Sequence, residues 1–168
     1  MEKKIIELNK LLEHSKKLSI ITHYNPDGDA IGSSLAIYHY FKRLGLNTNV
    51  ITPNIHPSFL NWIPGIDQIN IYEKNPLKSS KIISESDIIF TMDFNSLERC
   101  GELSKKIKDK DKIVMIDHHQ VPENFAVINF SYPKISSTCE IVYNIIEHSC
   151  KLNLINNEIA TCIYLGMM

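Results

Sequence analysis

Short segments rich in β-branched residues alternate with helical patterns along the whole chain, and this alternation restricts the fold more than any other feature. A short apolar run bounded by turn residues is typical of a buried strand, whereas apolar residues three and four positions apart indicate an amphipathic helix. The predicted strands are KLSIITH, NTNVIT, DIIFTMD, KIVMIDHH, AVINF and the weaker INIYE. Strands separated by helices favour parallel pairing. The sequence therefore predicts one α/β domain with a doubly wound, mainly parallel sheet and helices on both faces.

The helices predicted beside these strands carry apolar faces that suit packing against a sheet. They span 1–17, 29–45, 98–108, 137–150 and 156–168. On the helix over 29–45 the apolar positions share one face, whereas the helix over 98–108 is expected to be polar and to lie on the surface. Residues 57–65 are expected to form a short helix or turn that ends at Pro64-Gly65.

The charge and cysteine content narrow the classes of ligand and compartment. The formal net charge is −1, so no strong global field is available to hold a long polyanion, and a nucleic-acid ligand would have to be short or be held locally. The four cysteines form no C-x-x-C pair, which is typical of reduced thiols in a cytoplasmic protein. No apolar run approaches the roughly 18 residues that span a membrane, so we expect no membrane partner.

Three of the predicted strands end in residues that can bind a metal ion. In parallel α/β sheets, ligands bind beyond the carboxyl ends of the strands, so these side chains are expected to converge on one crevice. A turn through Pro26 and Gly28 is expected to aim two carboxylates into the crevice, with Gly28 giving backbone freedom. The candidates are His23, Asp27 and Asp29 after the first strand, Asp93 after DIIFTMD, and Asp117, His118 and His119 at the end of KIVMIDHH.

The types of these residues indicate which metal they suit. Imidazole and carboxylate groups without a nearby thiolate favour Mn²⁺ over a structural zinc ion, with Mg²⁺ or Co²⁺ as alternatives. Two metal ions that lie about 3.5–4 Å apart and share a bridging carboxylate can act together on a phosphoryl group. The sequence thus predicts a site for two metal ions, in which one carboxylate binds both ions.

Each candidate also has a purely structural interpretation. Asp29 precedes a helix and is placed to be its N-cap, and Asp93 precedes Asn95 and Ser96 in the same manner. A histidine at a strand end is often a hydrogen-bonded core residue, and His118 and His119 suit a partly exposed loop. The occurrence of ligand-type residues at three strand ends favours the metal site over these alternatives.

The ordered set of motifs resembles the DHH phosphoesterase family. The matching segments are H-Y-N-P-D-G-D-A-I-G-S at 23–33, M-D-F-N-S-L-E-R at 92–99, D-H-H at 117–119 and, more weakly, S-S-T-C-E at 136–140. The resemblance extends over essentially the whole chain. It implies that 1–168 is the N-terminal DHH domain, ending before a further metal-binding aspartate. It also implies a C-terminal substrate-binding domain outside this chain, so that this stretch alone lacks part of the machinery for activity.

The resemblance also assigns a role to each candidate residue. It implies that His23 and Asp27 bind the first ion, that Asp93 bridges both ions, and that Asp29 and His118 bind the second. A further set is implied to act around the ions: His119 as a hydrogen-bond donor or general acid towards the substrate phosphate, Asp117 as a group that orients the histidines without touching metal, and Arg99 as a phosphate-positioning group. For Arg99, a solvated place on the helix surface is the alternative.

The first motif is most similar to that of oligoribonucleases that also dephosphorylate adenosine 3′,5′-bisphosphate. The resemblance therefore implies short RNA oligonucleotides or a nucleotide bisphosphate as partners, and it allows a homodimer. A RecJ-type single-strand DNA exonuclease and a related inorganic pyrophosphatase are the enzymatic alternatives. A nucleotide-binding module without hydrolysis is the non-enzymatic one, against which the density of metal-type ligands argues.

Overall fold

The computed structural model describes residues 1–168, which form a parallel sheet of six strands with helices on both faces. The strands are β1 (Lys17–Thr22), β2 (Asn47–Thr52), β3 (Asn70–Ile71), β4 (Ile88–Met92), β5 (Ile113–Asp117) and β6 (Ile128–Ser131). The helices are α1 (Glu2–Glu13), α2 (Gly28–Arg43), α3 (Pro76–Ser84), α4 (Ser104–Ile107), α5 (Thr138–His148) and α6 (Asn157–Met167). The predicted α/β class and its doubly wound sheet are confirmed.

The order of the strands, β3-β2-β1-β4-β5-β6, decides where a ligand can bind. Every neighbouring pair is parallel, so all six carboxyl ends lie at one edge of the sheet. From β1 the chain adds β2 and β3 on one side, and it then adds β4, β5 and β6 on the other. The direction of winding therefore changes between β1 and β4, and a crevice opens at this point in folds of this kind.

Two apolar cores hold the helices against the sheet. The larger core lies between one face of the sheet and α1, α2, α5 and α6, and it includes Ile20 and Phe90 of the central strands. The smaller core lies on the opposite face, where Ile83 of α3 and Ile107 of α4 pack against Ile21. Alternate residues of each strand thus contribute to different cores, as expected for a sheet that is covered on both faces.

Two helical segments of the structure differ from those that the sequence predicts. The predicted polar helix over 98–108 is instead a 3-10 segment, Leu97–Leu103, followed by the single turn α4. Gly101 interrupts it with a φ of 59° and a ψ of −135°, and Leu103 and Ile107 are buried in the smaller core. Helix α3 was not predicted, although Pro76 at its first position and the N-cap Asn75 are ordinary signals of a helix start.

The thiols and the helices add two simple facts. All four cysteines are free, and three of them are buried, with Cys150 exposed. No helix of the structure combines the length and the apolar character needed to cross a membrane.

Candidate metal centre

Asp93 lies at the centre of the residues that the sequence singled out. It follows β4, it is 2% exposed, and its carboxylate faces histidines that follow β1 and β5. Its Oδ2 is 3.6 Å from Nε2 of His23, and its Oδ1 is 3.7 Å from Nε2 of His118. Two groups of ligand-type side chains share Asp93, one with His23 and Asp27 and the other with His118 and His119. The shared position is the one expected of a bridging carboxylate.

The hydrogen bonds of the two histidines leave the right nitrogen free for a metal. Nδ1 of His23 lies 2.8 Å from the carbonyl oxygen of Tyr24, and Nδ1 of His118 lies 3.3 Å from that of Ile135. A carbonyl only accepts, so each Nδ1 carries the hydrogen and each Nε2 presents a lone pair. Histidine ligands in proteins are oriented in this way. The separation of Nε2 from the Asp93 oxygens, longer than a hydrogen bond, suits two ligand atoms on one ion.

Asp27 and Asp29 are held by different helix ends. Oδ1 of Asp27 accepts hydrogen bonds from the backbone N–H groups of Asp29 and Ala30, both at 3.0 Å, so Asp27 is the N-cap of α2. The capping alternative for Asp29 is therefore wrong. The Asp29 carboxylate instead accepts from the first N–H groups of α5, at 2.7 Å from Thr138 and 2.9 Å from Cys139. Its Oδ2 also lies 3.7 Å from Nε2 of His118.

The crowding of carboxylates changes their affinity for protons. Burial, and then the negative charge of Asp93, raise the pKa of Asp29 from 3.8 to about 6, although the α5 N–H groups act in the opposite direction. Burial lowers the pKa of His23, but the contacts with Asp93 and the Tyr24 carbonyl outweigh it, and the net pKa is raised. A divalent cation would relieve the repulsion that raises the Asp29 pKa, which is a further sign that this donor set fits a metal.

Asp117 holds His119 in a fixed orientation. It is fully buried at the end of β5, and its two oxygens lie 2.7 Å from Nδ1 and 3.0 Å from the backbone nitrogen of His119. The carboxylate accepts both hydrogen bonds, so Nε2 of His119 is the ring nitrogen left free. The side chain of His119 is 34% exposed, which leaves it accessible from the crevice.

The loop over 23–29 is pinned by residues that the sequence analysis missed. Asn25 has a φ of 54°, and it exchanges two hydrogen bonds of 2.7 Å with Asn54, which follows β2 and is nearly buried. The expectation that Gly28 supplies the backbone freedom is wrong, because a Cβ at Gly28 would meet nothing within 4 Å and its φ is not left-handed. The signal for Asn54 was a polar residue directly after a strand, at the edge where ligands bind.

Thr138 was predicted as part of a helix start, and it makes a direct contact with the centre. Ser137 is the N-cap of α5, and its hydroxyl oxygen accepts from the N–H of Glu140 at 3.1 Å. The fully buried hydroxyl of Thr138 donates to Oδ1 of Asp93. Arg99, in contrast, contributes through its backbone: its carbonyl accepts from the N–H of Tyr24 at 2.7 Å. Its guanidinium makes no hydrogen bond or ion pair with the residues of the centre.

The geometry has close counterparts among known proteins. The model of the DHH family, N-terminal domain, matches residues 17–167. A probable manganese-dependent inorganic pyrophosphatase of Streptococcus mutans is 30% identical over 140 residues, which cover 79% of this chain and 42% of that protein. An uncharacterized protein of Mycoplasma genitalium is 28% identical over 168 residues, 98% of this chain and 48% of the relative. The chain thus spans less than half the length of these curated relatives.

A solved structure agrees over the whole chain. The crystal structure of an exopolyphosphatase-related protein from Bacteroides fragilis superposes with a TM-score of 0.98 and 41% sequence identity. The match covers 100% of this chain and 50% of that one. The fold around the centre is therefore shared with a longer protein.

Proposed function

Since the chain belongs to the DHH family, we propose that it provides the metal centre of a hydrolase that cleaves a phosphate ester or anhydride bond. The observation that supports this most directly is the position of Asp93 between two groups of ligand-type residues. Divalent ions, when bound there, supply Lewis acidity to the phosphoryl oxygens and lower the pKa of a coordinated water. We propose Mn²⁺ for both ions, because the donors are carboxylates and imidazoles and because several curated relatives carry manganese in their names.

The roles proposed for the residues follow from their contacts. His23 and Asp27 hold one ion, Asp29 and His118 hold the other, and Asp93 joins the two. Asp117 accepts from Nδ1 of His119 and leaves Nε2 for the substrate; when the ring is in its imidazolium form, which carries a hydrogen on both nitrogens, Nε2 donates a hydrogen bond or a proton to the leaving oxygen. Arg99 is proposed to turn its unpaired guanidinium towards a substrate phosphate.

For the substrate, we propose short oligoribonucleotides and adenosine 3′,5′-bisphosphate. Support comes from the similarity of 23–33 to the first motif of enzymes with these substrates, and from the near-zero net charge. A ligand of a few nucleotides needs only a few phosphate contacts, whereas a long polyanion gains affinity from many.

Inorganic pyrophosphate is the second candidate substrate. It is favoured by the names of the streptococcal relatives, which are 29–30% identical to this chain over 140 residues. The fold and the donor set are compatible with either substrate, since both place a phosphoryl group against the same ligands.

One experiment separates these candidates. The protein with Mn²⁺ is incubated with a 5′-phosphorylated RNA dinucleotide, adenosine 3′,5′-bisphosphate, pyrophosphate and a single-stranded DNA, and products are resolved by chromatography. Mononucleotide release that chelation and Asp93→Asn both abolish supports the proposal. Cleavage of pyrophosphate alone would move the assignment to the second candidate. Nucleotide binding without turnover of any substrate would favour a binding module.

A further inference from the structure

A cavity of about 510 Å³ opens beside the metal centre, at the same edge of the sheet. Its walls come from the segments that follow four strands: Tyr24 after β1, Pro53 after β2, Tyr72 after β3 and Gly101 after β4. Glu73, Pro76 and Glu102 complete the lining. The volume lies within the range of small-molecule sites in proteins, roughly 300–1,000 Å³.

Tyr24 joins this cavity to the metal centre. Its carbonyl accepts the hydrogen bond from Nδ1 of His23, so the residue that lines the cavity also orients a metal ligand. Its N–H donates to the Arg99 carbonyl at 2.7 Å, and its hydroxyl donates to Oε1 of Glu73 at 3.1 Å. The backbone of Tyr24 is thus fixed at two points and its ring hydroxyl at a third, while the residue remains 46% exposed.

The opposite wall is fixed by the sheet. The N–H of Tyr72 donates to the Thr52 carbonyl at 2.9 Å, and the N–H of Glu73 donates to the Pro53 carbonyl at 3.1 Å. The ring of Tyr72 packs partly against the smaller core, and the rest of it faces the cavity. Packing against the smaller core therefore orients the Tyr72 ring, and the hydroxyl bond to Glu73 orients the Tyr24 ring, before any ligand arrives.

The chemistry of the lining excludes some ligands and favours others. Both charged groups of the cavity are acidic; Glu102 pairs with Lys105 at 3.0 Å, but no cation pairs with Glu73, so a phosphate or another anion is repelled by Glu73. Aromatic rings and prolines favour a flat apolar body, and proteins bind unstacked nucleobases on such rings. The second oxygen of Glu73 is free to accept a hydrogen bond, which an exocyclic amino group donates; in uracil the N3–H donor lies between two carbonyl oxygens, which the negative carboxylate repels.

We infer that this cavity binds an amino-bearing nucleobase of the substrate while the attached phosphate lies at the metal centre. The inference rests on the proposed nucleotide hydrolysis and adds a subsite to it. Adenine, the base of the proposed bisphosphate substrate, meets the requirement for a flat ring with an amino donor, and uracil does not. Pyrophosphate has no group for this cavity.

The test compares substrates and variants that differ only at this cavity. Hydrolysis of a 5′-phosphorylated adenine dinucleotide is measured beside the same substrate made abasic at either position. We expect kcat/KM for the adenine substrate to exceed that for one abasic form by about ten- to a hundredfold, the range that base stacking gives. Tyr72→Ala should remove this preference for the adenine substrate, whereas Tyr72→Phe should retain it. Tyr164→Ala, an exposed tyrosine on α6, is the matched control.

Glu73→Gln probes the amino group without a change in volume. A glutamine both accepts and donates hydrogen bonds, so this variant should bind uridine nearly as well as adenosine. Saturation-transfer NMR measures the equilibrium binding of adenosine and uridine to each variant, and this measurement does not depend on turnover. A thermal unfolding curve shows whether each variant is folded.

The two proposals fail in different ways. If no nucleotide is hydrolysed but adenosine still binds and Tyr72→Ala abolishes that binding, the proposed function is wrong and the nucleobase subsite is supported. If nucleotides are hydrolysed, adenine and abasic substrates react equally well, and Tyr72→Ala leaves adenosine binding unchanged, the nucleobase subsite is wrong and the proposed function is supported.

Discussion

The hydroxyl of Thr138 donates a hydrogen bond of 2.7 Å to Oδ1 of Asp93, and both side chains are buried. The backbone N–H of the same threonine donates to Oδ2 of Asp29. The first residue of α5 therefore orients two carboxylates that come from different parts of the chain. This contact has a direct consequence for metal binding.

Thr138→Val should weaken the affinity for Mn²⁺ by about ten- to a hundredfold, the usual cost of removing a hydrogen bond that orients a metal ligand. Valine has nearly the shape of threonine, so the helix should remain packed while Asp93 loses its partner. Isothermal titration calorimetry with Mn²⁺ measures the change, and Thr138→Ser, which keeps the hydroxyl, should restore most of the affinity. Equal affinities in the valine variant and the original protein would contradict the prediction.

Asp117→Asn should impair His119 without removing a metal ligand. The amide can no longer accept two hydrogen bonds from His119 as a charged group, so the ring loses its fixed tautomer. We expect kcat to fall about tenfold or more while Mn²⁺ affinity changes little. Nitrogen-15 NMR of the imidazole reports the tautomer directly. An unchanged tautomer together with an unchanged kcat would show that Asp117 is only structural.

The metal-free protein should lose stability as the pH rises from about 4 to 6. The folded pKa of Asp29, about 6, lies above the ordinary value of 3.8, so the folded chain binds more protons than the unfolded chain in this window. The free energy of unfolding, measured by urea denaturation with a chelator, should therefore decrease through it. In Asp93→Asn the decrease should shrink but persist, because burial is the larger cause of the shift. A slope that is identical in both proteins would argue against the coupling.

Gly166→Ala, a change on α6, should destabilise the protein and displace Asp29 of the metal centre. A Cβ at Gly166 would clash with Sγ of Cys139 and would lie 3.0 Å from Oδ1 of Asp29. We expect a loss of about 1–3 kcal/mol in the free energy of unfolding, as for other overpacked sites. Mn²⁺ affinity should fall with it, because Asp29 must move. Gly28→Ala is the control and should be neutral in chemical denaturation, since its Cβ would meet no atom within 4 Å.

Most of the site residues could be predicted from the sequence because they directly follow the predicted strands. His23, Asp93 and His118 follow strands that are strongly apolar, and parallel strands place their carboxyl ends at one edge of the sheet. Local patterns therefore identified both the sheet and the residues at its edge. Similarly, the helix expected over 156–168 is α6, which begins after its N-cap Asn156, because helix starts depend on residues close together in sequence.

What the sequence could not predict depends on contacts between distant residues. The sequence around α2 could not show whether Asp27 or Asp29 is its N-cap. Asp27 is the N-cap because the Asp29 carboxylate accepts hydrogen bonds from the first N–H groups of α5, which is distant in sequence. The helix expected over 98–108 is broken at Gly101, whose φ of 59° and ψ of −135° are not helical, and the helical spacing of the buried Leu103 and Ile107 gave no sign of this break. The link between Asn25 and Asn54 likewise exists only once β1 and β2 are paired.

The ligands of the centre come from segments that meet only after the sheet and α5 have formed. His23, Asp93 and His118 lie far apart in sequence, so an unfolded chain does not bring them together around a pair of ions. Any ion bound here would bind the folded state selectively, so the midpoint of thermal unfolding would rise with free Mn²⁺ by mass action. In a cell short of manganese, such a protein would lose abundance as well as activity, since its folded fraction would follow the metal supply.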